Sequence, residues 1–345
     1  MSRIWLLLLL WALPLSAQAQ LRLASYNIGL GRDGPGLLLK DIINRDEDIL
    51  ARAEIIATLG PDILLLTGFD NDYQNLALSV FNALPGLEYP YFYAPLGNAG
   101  LDSGLDITGN GRLRDWNDNW GFGRFEGAEG MVLLSRYPIA GARQFDRLKW
   151  RDFGPAPLAP DGAAFYPDTI WQQLRLAAHS LWDIEITLPS GPLRLLAAHP
   201  TPPVFDGDED ANGLRNEAEI NFLIRYLNGE AFTDDSGITA PLPDGPVALL
   251  ADLNADPVDG ESRKQALSAL LAHPRLQDPE PRGESGSTDT VSWESAGELR
   301  VDYVLPGTGL LVLDAGVFWP LESALLEAAQ TAHRLVWVDI VIVPR

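Results

Sequence analysis

Short apolar runs alternate with polar, turn-forming segments along this chain. Runs of strand character cover Leu21 to Ile28, Ile63 to Leu66, Met131 to Leu134, Trp182 to Leu188, Leu193 to Ala198, Val247 to Ala251, Val301 to Leu305, Leu310 to Val317 and Leu335 to Val343. Apolar residues at spacings of three and four predict helices over Glu47 to Leu59, Tyr73 to Leu84, Arg215 to Leu227 and Arg263 to Ala272. Many strands, few helices, no internal repeat and no low-complexity linker predict one α/β domain built around sheets, without an internal boundary. With 345 residues, 46% of them hydrophobic, the chain can bury a substantial core.

The first twenty residues, "MSRIWLLLLLWALPLSAQAQ", follow a different pattern. One Arg precedes an apolar run from Ile4 to Leu13, and Ala17-Gln18-Ala19 is a small-x-small cleavage signal. This predicts a secretory signal peptide over residues 1–19, because the run is too short to span a bilayer. The expected product is a single domain over residues 20–345, exported to the periplasm or the extracellular space, with no transmembrane segment. The sequence contains no cysteine, so the core must hold the fold without disulfides, and thiolate chemistry is excluded.

Charge narrows the partners. Forty-seven acidic residues face 25 basic ones, a formal charge of −22, which becomes −22 − 1 = −23 once Arg3 is removed with the leader. Such a surface repels polyanions unless a local patch or bound cation reverses the field, and it also serves solubility or adaptation to salt. Two loops stand out by composition. In "GNAGLDSGLDITGNGRLRDWNDNWGFG", residues 97–123, Asp106, Thr108, Asn110 and Gly111 match the start of an EF-hand-type calcium loop. The match then fails, because Asn117 stands where that loop needs Glu, and the segment reads as a turn-rich surface loop. "FDGDEDANG", residues 205–213, reads as a solvated loop.

The strand ends carry the chemistry. Asn27 closes the first run and Asp70 follows the second. His199 follows Leu193 to Ala198, Asp252 and Asn254 follow Val247 to Ala251, Asp302 follows Val301, and His333 precedes the last run. Singly, each suits a turn or a cap. Together, oxygen ligands for a hard cation and two imidazoles form a set suited to metal-assisted attack of water on a phosphoester. There is neither a phosphate-binding Gly-rich loop of the Walker type nor a Gly-x-Ser-x-Gly elbow.

"LASYNIG", "GMVLLSRYPI", "LLAAHPTPP", "LLADLNADP", "LRVDYVLP" and "TAHRLVWVDI" occur in the order of the endonuclease/exonuclease/phosphatase superfamily, the deoxyribonuclease-like metallophosphoesterases. The resemblance runs from about residue 21 to 343, and "GFGRFEGAEGMVLLSRYPI" and "HPTPPVFDG" resemble an exported bacterial branch. It implies a four-layer α/β/β/α sandwich of two packed mixed β-sheets flanked by helices, and Mg²⁺ or Mn²⁺ as cofactor with Ca²⁺ as an alternative. It implies that Asp252 orients or deprotonates the attacking water and that Asn254 binds the phosphate or supports the metal. Asn27 would help hold metal or phosphate, His199 and His333 would stabilise phosphate charge, and Asp302 would fix the tautomer of His333 and keep it protonated.

Two positions depart from that pattern. Gly68 stands where the family has its principal carboxylate ligand, and Ala332 where an Asp precedes the last His. Asp70, two residues beyond Gly68, would compensate as a metal ligand if the strand continues and keeps it on the same face. The expected function is a divalent-metal-dependent phosphoesterase acting on small phosphoesters or nucleic acid. The alternative is a weakened relative that binds a phosphorylated or calcium-bridged ligand.

Overall fold

A computed structural model describes residues 20–342; the expected leader over residues 1–19 and the end of the last apolar run at Val343 lie outside the described residues. Strands β1 (Leu21–Leu30), β2 (Ile63–Phe69), β3 (Tyr91–Tyr93) and β4 (Gly130–Ser135) belong to one sheet, followed in chain order by β5 (Ile139–Gln144), β6 (Leu181–Leu188) and β7 (Gly191–Ala198) of a second. A small hairpin, β8 (Phe232–Thr233) and β9 (Thr239–Ala240), precedes β10 (Val247–Asp252). A second hairpin, β11 (Val291–Trp293) and β12 (Gly297–Leu299), precedes β13 (Asp302–Pro306), β14 (Leu310–Val317) and β15 (Val336–Ile342). The six-stranded sheet has the order β14-β15-β1-β2-β4-β3, and the five-stranded sheet β13-β10-β7-β6-β5. Both are mixed: β1 runs parallel to β2 and β7 parallel to β10, while β15 and β13 are antiparallel to their neighbours.

The period-two alternation explains the layering. Leu23, Ile63, Leu65, Leu133, Val338 and Ile340 of the first sheet meet Ile184, Leu195, Ala248, Leu250 and Val304 of the second in a buried central core. The alternate residues face outward under helices. Tyr26, Leu64, Leu66 and Val132 pack beneath α1 (Leu37–Asn44), α2 (Glu47–Leu59), α3 (Leu76–Asn82) and α7 (Ala324–Ala329). Leu196, Leu249, Ala251 and Leu305 pack beneath α5 (Ala211–Leu227) and α6 (Lys264–Leu271); a single turn, α4 (Asp168–Trp171), lies at the rim of that cluster. The arrangement is the four-layer α/β/β/α sandwich.

Helix α2 has the expected bounds: Glu47 and Asp48 favour its N-terminal end, and Gly60, at φ 54°, terminates it. Helix α3 is shorter than its periodicity. The Asp72 carboxylate accepts the N–H groups of Leu76 and Ala77, and Asn75 is left-handed, so the helix starts three residues after Tyr73. Strand β5 shows no apolar run in the sequence because it is an edge strand without a buried residue.

Candidate active site

The topology brings the functional side chains to one edge of the sandwich. The parallel pairs β1/β2 and β7/β10 end there, and the antiparallel strands β13 and β15 begin there. Asp252 lies opposite Asp302 in the β10/β13 register. Asn27, from the first sheet, donates Nδ2 to Asp252 Oδ2 at 2.8 Å, and His199 Nε2 lies 3.5 Å from the same oxygen. The other oxygen accepts the Asn254 N–H at 3.0 Å. His333 Nδ1 lies 2.8 Å from Asp302 Oδ2, which also accepts the Thr290 hydroxyl at 3.0 Å. Both imidazoles, Asn27, Asn254 and Trp293 line a cavity of about 960 Å³.

Electrostatics separate the two imidazoles. Burial lowers His199 well below the usual histidine value, and His179 and His333 push it the same way, so His199 is neutral at pH 7. Burial also opposes the charge on His333, but the Asp302 carboxylate and its hydrogen bond outweigh it and raise that pKa. Asp252 is raised far above the ordinary carboxylate range, first by burial and then by Asp302, against the pull of His333 and Asn27.

Two expected placements rest on different geometry. On an extended strand residues two apart share a face, which would put Asp252 and Asn254 side by side. Strand β10 in fact ends at Asp252, and Asn254 is left-handed at φ 51° in the following turn. It still lines the cavity, with Nδ2 donating to the Pro200 carbonyl at 3.0 Å. Asp70 does not join the cluster. Strand β2 is irregular after Leu66, Gly68 is left-handed at φ 66°, and the buried Asp70 accepts the N–H groups of Arg32 at 2.8 Å and Glu129 at 2.9 Å. It is placed as an acceptor that ties the ends of β1 and β4 together.

Four further residues belong to the site. His179 stacks on His199 with ring centroids 3.8 Å apart, and its Nδ1–H donates to the His199 carbonyl, 2.9 Å away. Its sequence context, an apolar stretch, offered no signal. The Trp293 ring stands edge-on to His333 at 5.3 Å. Glu129, left-handed at φ 48°, lines the cavity beside Gly31, where partial desolvation raises its pKa. Arg52 of α2 is buried in the cavity wall, paired with Asp48 through Nη1 and with Nε unpartnered.

A divalent cation is what the resemblance implies here, and the residues at the end of β2 do not fit the family's ligand set. A Cβ at Gly68 would stand 2.4 Å from Asn27 Oδ1, so no side chain fits without displacing Asn27. A Cβ at Gly29 would lie 3.5 Å from Thr331 Oγ1 and 3.9 Å from Arg52 Nη2, which puts a guanidinium beside β1 in the cavity wall. Such a charge repels a cation and attracts phosphate. Asp252, Asp302 and His333 do bring ligand-type atoms within 4.8 Å of one another, but His333 Nδ1 and an Asp302 oxygen are engaged with each other.

Solved structures share this fold. An endonuclease/exonuclease/phosphatase from Beutenbergia cavernae is 17% identical, with a TM-score of 0.57 over 94% of this chain and 72% of its own. A mannosyl-6-phosphatase from Bacteroides thetaiotaomicron is 15% identical, with a TM-score of 0.53 over 93% and 99%. The sphingomyelinase C of Streptomyces griseocarneus is 15% identical, with a TM-score of 0.50 over 93% and 99%. No curated protein sequence matches this chain. The model of the Endonuclease/Exonuclease/phosphatase family matches residues 24–324, and the chain belongs to this family.

Proposed function

We propose that this chain is an exported hydrolase of phosphoric esters, acting on small phosphomonoesters or phosphodiesters in preference to nucleic acid. Its acidic charge supports the preference, and the signal-peptide pattern supports export. The observation that carries the reading is the Asn27–Asp252–His199 cluster, its carboxylate and imidazole buried, beside the His333–Asp302 pair at one cavity. In this reading Asp252 accepts a proton from water as its oxygen attacks phosphorus, and its raised pKa suits a base working near neutral pH. Protonated His333 and neutral His199 donate hydrogen bonds to the phosphoryl oxygens as their charge grows. Arg52 attracts the phosphate to the cavity. The P–O bond to the leaving group breaks, and solvent protonates the departing oxygen.

Gly68 and Ala332 favour a second reading, a weakened relative that retains a phosphorylated ligand without turning it over. Hydrolysis of aryl phosphate monoesters and diesters, with chelator and with Mg²⁺, Mn²⁺ or Ca²⁺, alongside nicking of plasmid DNA, separates the two. Turnover that Asp252→Asn removes supports the hydrolase, and the metal arms read whether a cation contributes. Phosphate binding without turnover in any arm supports the second reading.

A further inference from the structure

The calcium-loop pattern that starts at Asp106 breaks in sequence at Asn117, yet the structure supplies a carboxylate one residue later. Asp118 is fully buried; Oδ1 accepts the Thr108 N–H at 2.8 Å, and Oδ2 has no partner. Thr108 lies between Asp106 and Asn110, so the Asp118 carboxylate is directed into the matched stretch itself. No Lys, Arg or His among the described residues lies within salt-bridge distance of it; the loop's own Arg114 faces Asp102 at the surface, 3.6 Å away. A buried carboxylate with a free oxygen and no cation is costly.

The rest of the loop is arranged around oxygen donors. Asp106 accepts the N–H groups of Asn110 at 2.9 Å and Gly111 at 2.8 Å, and the Asn110 side-chain oxygen accepts the Arg112 N–H at 2.8 Å. Carboxylate and amide oxygens keep a second lone pair for a metal after accepting one N–H. We propose that this loop binds one calcium ion, anchored by Asp118 in the role for which the sequence pattern expects a residue at position 117, with Asp106, Thr108 and Asn110 supplying further oxygens. Two carboxylates with neutral oxygens suit Ca²⁺ rather than Mg²⁺, and they place the affinity in the weak class, a Kd of about 10⁻⁴–10⁻³ M. The base of the loop is fixed to the core. Asn98 donates its N–H to the His179 carbonyl at 2.9 Å, and Arg215 donates to the Trp120 carbonyl at 2.7 Å, so ordering the loop buttresses the His179–His199 stack.

The full chain, stripped with chelator, is titrated with Ca²⁺ and with Mg²⁺ by calorimetry and thermal unfolding, and with Tb³⁺ by luminescence excited through the loop tryptophans. One Ca²⁺ site is expected, with unfolding raised by about 2–4 °C at tenfold excess over Kd and weaker binding of Mg²⁺. Asp118→Asn keeps an oxygen for Thr108 and should weaken Ca²⁺ at least about tenfold, as should Asp106→Asn, which serves if the first variant fails to fold. Asp252→Asn should leave the Ca²⁺ site unchanged, which separates it from the catalytic cavity. Absence of Ca²⁺ binding up to about 10 mM, an order of magnitude above that affinity class, overturns the proposal. So does wild-type affinity in both loop variants, or loss of binding in Asp252→Asn.

Discussion

Asn27 and Asp252 come from different sheets and meet at 2.8 Å, the amide nitrogen donating to the carboxylate. The bond joins the end of β1 to the end of β10 across the mouth of the central core. It orients the carboxylate for any water in the cavity and offsets part of the burial that raises its pKa. The same oxygen faces His199, while the other is held by the Asn254 N–H. Asp252 is therefore fixed from three directions before a substrate arrives.

Replacing Asp252 by Asn should remove turnover while leaving the fold. The amide has nearly the same shape but cannot take a proton from water, so kcat on an aryl phosphate should fall by at least about 10²-fold. Steady-state kinetics with a thermal unfolding curve reads both parts. Activity within a few fold of wild type would remove Asp252 from the role of base.

Asp302 should act on both limbs of the pH profile. It holds the His333 charge, so activity that needs protonated His333 falls as pH rises through a raised pKa. It also raises Asp252, so activity that needs ionised Asp252 grows only above a raised pKa. Asp302→Ala should move both limbs to lower pH, by about one unit or more for a close opposite charge at His333. A profile of kcat/KM that keeps its alkaline limb in the variant would refute the pairing.

The strand ends were legible in sequence because a buried strand shows itself as an apolar run and its first polar residue marks the edge of the sheet. Asn27, His199, Asp252, Asp302 and His333 lie at one cavity or immediately behind it for that reason. What sequence does not carry is backbone sign. Gly68 and Asn254 are both left-handed, and a single such residue redirects everything after it, which is why Asp70 leaves the site and Asn254 enters it by a turn. Arg52 and Glu129 reach the cavity from a helix and from the turn before β4, by contacts without a local pattern.

Restoring the family's carboxylate at position 68 should harm the site. The added Cβ would meet Asn27 Oδ1 at 2.4 Å, and a φ of 66° disfavours any side chain by about 1 kcal/mol or more. Gly68→Glu should therefore displace Asn27 from Asp252, lower kcat and lower the unfolding temperature, and Gly68→Ala should show the same losses to a smaller extent. Increased activity of Gly68→Glu at limiting Mg²⁺, with unchanged stability, would show that the strand end can open to admit the ligand.

Asp70 should prove structural. Its carboxylate accepts two backbone N–H groups, from Arg32 and Glu129, that have no other acceptor in view. Burial pushes its pKa up to about 6, against the opposing effect of those two bonds. Because this lies above the value near 4 of an unfolded aspartate, the folded chain keeps the proton longer. The group's contribution to stability thus improves as pH falls from about 7 toward about 4, and is least favourable when the carboxylate is ionised. Asp70→Ala would leave two N–H groups unpaired and should cost about 1–3 kcal/mol in a denaturant titration at pH 7. Asp70→Asn should remove the pH dependence that belongs to this group, so that lowering the pH from 7 to about 5 favours the wild type over the variant. Neither substitution should change how the cavity responds to Mg²⁺ or Mn²⁺. If Asp70→Ala kept full stability and abolished a metal response seen in the wild type, Asp70 would be a ligand and the two N–H bonds incidental.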